Sequence, residues 1–418
     1  MRSFYASLAA SAVLALTLVA GIPPAGAATY ERAGATPVAS SASARASSAV
    51  PLATLRARLG KLMRGAGRSS GAWVADLGAT GKPVRLFARR AGRSRKLASN
   101  TKVFTTSTAL VKFTPLARLQ TTAWSTGTLL AGALNGNLVL RGGGDPTLTG
   151  AGLATLATRV RAAGVTSVSG HLIYDESLFD AVRGVPQTGV SGGLGGELSG
   201  LTYPGGARKA AQDFVQDLKD RGVAISSQVQ PGALPPITSV QLAAFGSPTM
   251  ADLIEATNVP SNNFYAETLL KDIGAKFGTA GSTVAGLAVL KPFAAARGAT
   301  FSGENGSGLS VRNRAAPASV GRLLVSMLRE PADVSTAWTD SLAVAGVSGT
   351  LVRRMRGTAA AGRCKGKTGT LSGVSVLSGY CFAAGHTVVF SLLMNRVTDA
   401  RAHLIQDKMV ATMARFAP

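Results

Sequence analysis

Strand signals sit at both ends of this chain, and that arrangement limits the folds open to it. "GAWVADLGATGKPVRLFARR" (71–90) reads as two strands about a glycine-rich turn. "GVSVLSGYCFAAGHTVVFSLLMNRV" (373–397) reads as a second strand–turn–strand unit, with a helix from about Asp399 to Phe416 after it. A lone hairpin is marginal in water, so early and late strands suggest one α/β (α+β) domain. Residues 121–239 have another texture: short strands ("LNGNLVLRGGGDP", "VSGHLIYDE"), helices ("AGLATLATRVRAAG", "ARKAAQDFVQDLKDRG") and a glycine-rich stretch, "GVSGGLGGELSG". They read as an inserted, smaller α/β domain, leaving 51–120 plus 240–418 for the main one. In the second part, "SPTMADLIEATNVPSNNFYAETLLKDIGAKFG" holds two helices broken at Pro260.

The N-terminus indicates the compartment. Arg2, an apolar run from about Leu8 to Ile22, a proline break and Ala25-Gly26-Ala27 follow the order of a secretory signal peptide over 1–27. The run is short for a membrane span. Residues 28–50 are Ala/Ser-rich and read as a flexible leader. An exported chain with two cysteines, Cys364 and Cys381, is expected to pair them. A turn near Leu371–Gly373 would set the two opposite each other across a hairpin; two reduced buried thiols are the alternative. The three histidines (His171, His386, His403) have no ligand-like spacing, which argues against a zinc or other metal site.

The formal net charge is +24, and it is concentrated early: residues 28–120 hold 17 Lys and Arg against Glu31 and Asp76. In an exported protein such a region would meet anionic wall polymers or a membrane surface rather than nucleic acid. A merely solvated basic surface is the plainer reading.

Three short motifs carry chemistry. Ser99-x-x-Lys102 opens a helical pattern and puts hydroxyl and amine on one face. Of the 13 Lys, only Lys102 has a Ser three places earlier. A lysine in so apolar a segment either snorkels or is there for chemistry. Ser261-Asn262-Asn263 falls in the break between helices, where a polar turn is the ordinary reading. Lys367-Thr368-Gly369, then Thr370, lies on a strand, and Gly369 suggests that something approaches the backbone closely there.

In this order the motifs match the S-x-x-K, S-D-N and K-T-G set of penicillin-binding proteins and class A β-lactamases. "LASNTKVFTTSTAL", "LVLRGGGDPTLT", "VPSNNFYAETLLK", "ENGSGLS" and "GKTGTLSGVSVLSGY" narrow the match. From about Gly71 onward the chain resembles the class C low-molecular-mass penicillin-binding proteins, serine D-alanyl-D-alanine carboxypeptidases and endopeptidases. The resemblance implies an antiparallel sheet flanked by helices and an acyl-enzyme reaction on peptidoglycan peptides without a cofactor. It implies β-lactam antibiotics as acylating inhibitors. Ser99 would be the nucleophile, Lys102 the base and Ser261 a proton relay. Asn263 would hold the substrate amide. Lys367, in the Lys367-Thr368-Gly369 motif, would stay charged, lower Lys102 and anchor the substrate carboxylate with Thr370. The backbone N–H groups of Ser99 and Thr370 would form the oxyanion hole.

Two departures stand out. Only 162 residues separate Ser99 from Ser261, which implies one inserted domain where longer members carry two. Asn305 stands where the family has Asp. A β-lactamase-like hydrolase is the nearest alternative, but no E-x-x-L-N stretch occurs for deacylation. A non-catalytic wall-binding protein is another, against which the intact motifs argue. Gly189-Val190-Ser191-Gly192-Gly193 matches G-x-S-x-G but lacks the strand and helix that motif needs.

Overall fold

The computed structural model describes residues 49–78, 81–185, 193–235, 239–383 and 385–418. The expected signal peptide, nearly all of the leader and residues 189–192 of the G-x-S-x-G match lie outside these. No helix among the described residues is long and apolar enough to cross a membrane.

The two ends of the chain share one antiparallel sheet of six strands. Its order is Ala343–Val344, Cys364–Leu371, Val374–Ala383, His386–Asn395, Gly71–Asp76 and Val84–Arg89. The strand Gly71–Asp76 is buried along its whole length. Its alternate side chains enter different cores, Trp73 and Ala75 one, Ala72 and Val74 the other. Both faces of the sheet are therefore covered.

On one face lie the helices Leu52–Gly65 and Asp399–Met413. Leu55, Leu59 and Met63, spaced four apart, form a fully buried stripe in one cluster with Met409, Val410 and Met413. Each such side chain contributes about 1.5–3 kcal/mol. The other face carries the helix Thr101–Phe113, packed among Met250–Asn258, Asn263–Phe277, Thr283–Ala296 and Pro317–Met327. Every residue from Thr101 to Leu110 is buried. So central a helix tolerates its hydroxyls because each finds a hydrogen-bond partner. Thr106 donates to the Lys102 carbonyl at 2.5 Å, Thr108 to that of Phe104 at 2.8 Å and Thr105 to that of Gly306 at 2.8 Å.

The hairpin register is the one the sequence implies. Leu371 faces Val374, and Cys364 faces Cys381. Those two cysteines form a disulfide. Closing a loop of this length contributes on the order of 3 kcal/mol in the chain-entropy account.

A second, five-stranded mixed sheet has the order Val229–Pro231, Leu172–Asp175, Leu138–Arg141, Gln120–Ser125, Val240–Gly246. Gly150–Ala162 and Gly206–Lys219 cover it. The boundary at 239/240 read from the sequence runs beside this sheet's last strand. Val240–Gly246 pairs with Gln120–Ser125, so the sheet takes in residues from both flanks of 121–239. Its apolar alternation suits either sheet, and only pairing assigns it.

The helix Asn263–Phe277 grips this second sheet's loops with two buried groups. Lys271 is fully buried and donates to Asp180 Oδ1 and to the Val182 carbonyl, both at 2.6 Å. Beside it the Asp272 carboxyl abuts Gly144, where φ is +78° and any Cβ would collide with it. Burial, with Asp145 nearby, holds Asp272 well above the usual carboxyl range.

Candidate active site

Ser99 lies in the 3₁₀ turn Ala98–Asn100, which runs directly into the helix Thr101–Phe113. The chain arrives along Arg95–Lys96, paired antiparallel to Arg314–Ala315. Leu97 then donates to the Asn313 carbonyl at 3.0 Å. Ala98, just before the serine, is held at φ 44°, and Ser261 itself at φ 68°. Side-chain-bearing residues adopt this region at a cost on the order of 1–3 kcal/mol, and such outliers cluster at functional sites.

Lys102 is 0 % exposed and does not snorkel. Its Nζ lies 3.0 Å from Ser99 Oγ, 2.7 Å from Asn263 Oδ1 and 2.8 Å from the Ser307 carbonyl. The last two oxygens can only accept. A neutral amine would give them its two hydrogens and turn its lone pair toward the serine hydroxyl. Burial lowers Lys102 to about 7, against the opposing pull of the Glu267 carboxylate.

The Ser261 turn is built from both sides. Asn262 donates its N–H to the Thr257 carbonyl at 2.8 Å, and its Oδ1 caps the next helix at Tyr265 N, 3.0 Å away. Asn263 is the first residue of that helix and reaches Lys102.

The strand Cys364–Leu371 closes the other side. Asn100 Nδ2 donates to the Lys367 carbonyl at 2.8 Å. A Cβ on Gly369 would lie 2.7 Å from the Ser99 backbone nitrogen. The close approach that Gly369 implied is therefore made by the serine's own backbone. Lys367 is fully buried, with Nζ 3.0 Å from the Thr368 carbonyl, while Thr368 Oγ1 bonds Thr350 Oγ1 at 2.8 Å and Thr370 is exposed. The Ala343–Val344 strand pairs only as far as Gly366, so it does not pair with the outer edge from Lys367 onward.

Lys367 differs from expectation. Sequence reasoning had it stay charged and lower Lys102 together with burial. In the structure burial accounts for the fall of Lys102, and burial with Lys102 close by pushes Lys367 well below its ordinary value. Two buried amines with one nearby carboxylate cannot both stay charged at low cost.

Sequence reasoning missed Glu267 and the turn it holds. Glu267 lies one helical turn beyond Asn263, fully buried, and accepts the N–H of Gly306 at 2.9 Å and of Ser307 at 2.7 Å. Its signal was an acid four places after Asn263 on a largely apolar helix. Asn305 helps to shape the same turn, accepting from Gly308 N at 3.1 Å and Asn313 Nδ2 at 2.7 Å. Asn313 also bonds Thr101 Oγ1 at 3.1 Å, which ties the turn to the start of the Lys102 helix. No group of three or more metal-ligating side chains occurs among the described residues.

Comparisons with known proteins find a family and similar structures for this chain. A family model described as the D-Ala-D-Ala carboxypeptidase 3 (S13) family matches residues 56–190 and 199–416. A D-alanyl-D-alanine carboxypeptidase of Actinomadura sp. (strain R39) is 28% identical, over 84% of this chain and 82% of that one. Penicillin binding protein 4 (dacB) from Haemophilus influenzae has a similar structure, with a TM-score of 0.71 at 20% identity, covering 85% of this chain and 98% of that one. A penicillin G-acylated predatory endopeptidase from Bdellovibrio bacteriovorus has a TM-score of 0.52 at 19% identity, covering 82% and 90%.

Proposed function

The chain belongs to the D-Ala-D-Ala carboxypeptidase 3 (S13) family, and from that premise we propose that it removes the terminal D-alanine of peptidoglycan stem peptides through an acyl-enzyme on Ser99. The observation that carries this reading is the environment of Lys102: two acceptors fix its hydrogens and Ser99 Oγ takes the third direction. The Ser99 proton passes to Lys102 Nζ as Oγ bonds the scissile carbonyl carbon. The N–H groups of Ser99 and Thr370 hold the oxyanion, a role supported by the contact of Gly369 with the Ser99 backbone. The C–N bond then breaks, and Ser261 relays the proton to the departing D-alanine amine. Water, deprotonated by Lys102, attacks the ester and frees Ser99.

The strand edge that Ala343–Val344 leaves unpaired from Lys367 onward suits an extended peptide adding alongside it. The terminal carboxylate meets Lys367, Thr368 and Thr370, and its charge favours the protonated amine that burial opposes. Asn263 gives its Oδ1 to Lys102 and keeps its amide N–H groups for the substrate amide. β-Lactams mimic the acylating peptide and stop at the ester. Incubation with a pentapeptide stem should release D-alanine, and faster than a cross-linked dimer is cleaved, since the short insert between Ser99 and Ser261 offers little length to steer long substrates. Dimer cleavage without D-alanine release would reverse that assignment.

Export is part of the same reading. The Cys364–Cys381 disulfide suits an oxidising compartment. The basic surface is the proposed contact with anionic wall polymer. Arg95 Nη1 and Arg314 Nη2 both donate to the Ser94 carbonyl, at 2.9 and 3.4 Å, with Arg90 and Arg93 close enough to disfavour the Arg95 charge beyond the effect of burial. None of the four has a carboxylate partner among the described residues. Pelleting with purified sacculi should fall as salt rises and fall again in an Arg93→Glu/Arg314→Glu variant. Salt-insensitive pelleting would sink the contact.

A further inference from the structure

Lys102 is held by a carbonyl that belongs to no motif, and what holds that carbonyl is a buried acid. The 305–308 turn is fixed from several directions. Glu267 takes the N–H groups of Gly306 and Ser307, Thr105 donates to the Gly306 carbonyl, and Lys102 donates to the Ser307 carbonyl. At the end of the turn, Gly308 adopts φ +92° with its α-carbon packed against the Ala98 carbonyl, leaving no room for a side chain. Both carboxylate oxygens of Glu267 are thus engaged by backbone donors at the turn that carries one of the three Lys102 partners.

We propose that Glu267 is a positioning residue for acylation. It clamps the Ser307 carbonyl so that the Lys102 lone pair faces Ser99, and its carboxylate opposes release of the Lys102 proton. The proposal rests on the reading of Ser99 and Lys102 given above. The charged groups around Lys102 are few. Glu267 comes from the helix Asn263–Phe277 and Lys367 from the strand Cys364–Leu371. The helix of Lys102 itself brings no acid. Glu304, at the outer end of the turn, is engaged by Arg312 and Ser310. Burial raises Glu267 itself, while its hydrogen bonds from Ser307 and Gly306 and the nearby Lys102 favour its charged form; as a carboxylate it favours protonated Lys102, so its loss should free the amine at lower pH.

The test is the second-order rate of acylation by benzylpenicillin against pH, for wild type, Glu267→Gln and Glu267→Asp, with folding checked by thermal melting. In Glu267→Gln the acid limb should move to lower pH, while the plateau drops roughly tenfold or more because one of the two backbone donors loses its acceptor. In Glu267→Asp the charge remains and the reach shortens. The plateau should drop while the acid limb stays close to that of wild type. An unmoved limb in folded Glu267→Gln would overturn the electrostatic part. A full plateau in Glu267→Asp would overturn the clamp, and that variant decides the matter if Glu267→Gln does not fold. Failure of wild type itself to be acylated would remove the underlying reading and this one together. Acylated wild type with Glu267 variants indistinguishable from it would remove this one alone.

Discussion

Ser99→Ala should not be acylated at all. Wild-type protein incubated with benzylpenicillin should gain one penicilloyl adduct by intact mass, and the variant none. Removing the attacking oxygen of a serine enzyme costs at least about 10⁴-fold in rate. The variant should fold, because Ser99 is only partly buried and Lys102 keeps two acceptors in Asn263 and the Ser307 carbonyl. A wild-type adduct that persists distinguishes a carboxypeptidase from a β-lactamase-like hydrolase, which would clear it. Unmodified wild type of proven fold would leave the non-catalytic wall-binding alternative in front.

Lys102→Arg should be nearly as damaging, and it separates a base from a mere cation. Arginine keeps the positive charge and can still donate to Asn263 and the Ser307 carbonyl. It cannot give up its proton near neutral pH. If Lys102 acts as the base, the substitution should slow acylation by about 10²–10⁴-fold. The wild-type pH profile makes the same point without a mutation. Burial brings Lys102 to about 7, so below that value the amine is protonated and has no lone pair to offer. Acylation should rise through about that pH and level off above it. A flat profile across the neutral range, or an active Lys102→Arg enzyme, would assign the proton to another group.

What could be read from the sequence was local. Ser99 and Lys102 are one helical turn apart, and no folding knowledge is needed to put them on one face. The hairpin register followed from strand periodicity and one turn, which is why Cys364 and Cys381 could be set opposite each other. The unread parts join distant segments through backbone atoms. The Ser307 carbonyl accepts from a lysine 205 residues earlier in the chain. A carbonyl has no residue type, so no motif records it. Glu267 was overlooked for the related reason that its partners are two backbone N–H groups. The state of Lys367 depends on burial and on its distance from Lys102, and both emerge only when the strand docks on the helix.

The grip of Lys271 and Asp272 on the second sheet's loops bears on how such an enzyme could be made smaller. Excising that sheet would take away Asp180 and Val182, the partners of a fully buried ammonium, and uncover the helix whose first residue is Asn263. Losing that ion pair and the packing around it would loosen the helix whose start meets Lys102. The sheet and the serine chemistry are therefore inherited as one piece. A minimal catalytic version would first need the helix face that carries Lys271 and Asp272 refitted for contact with water.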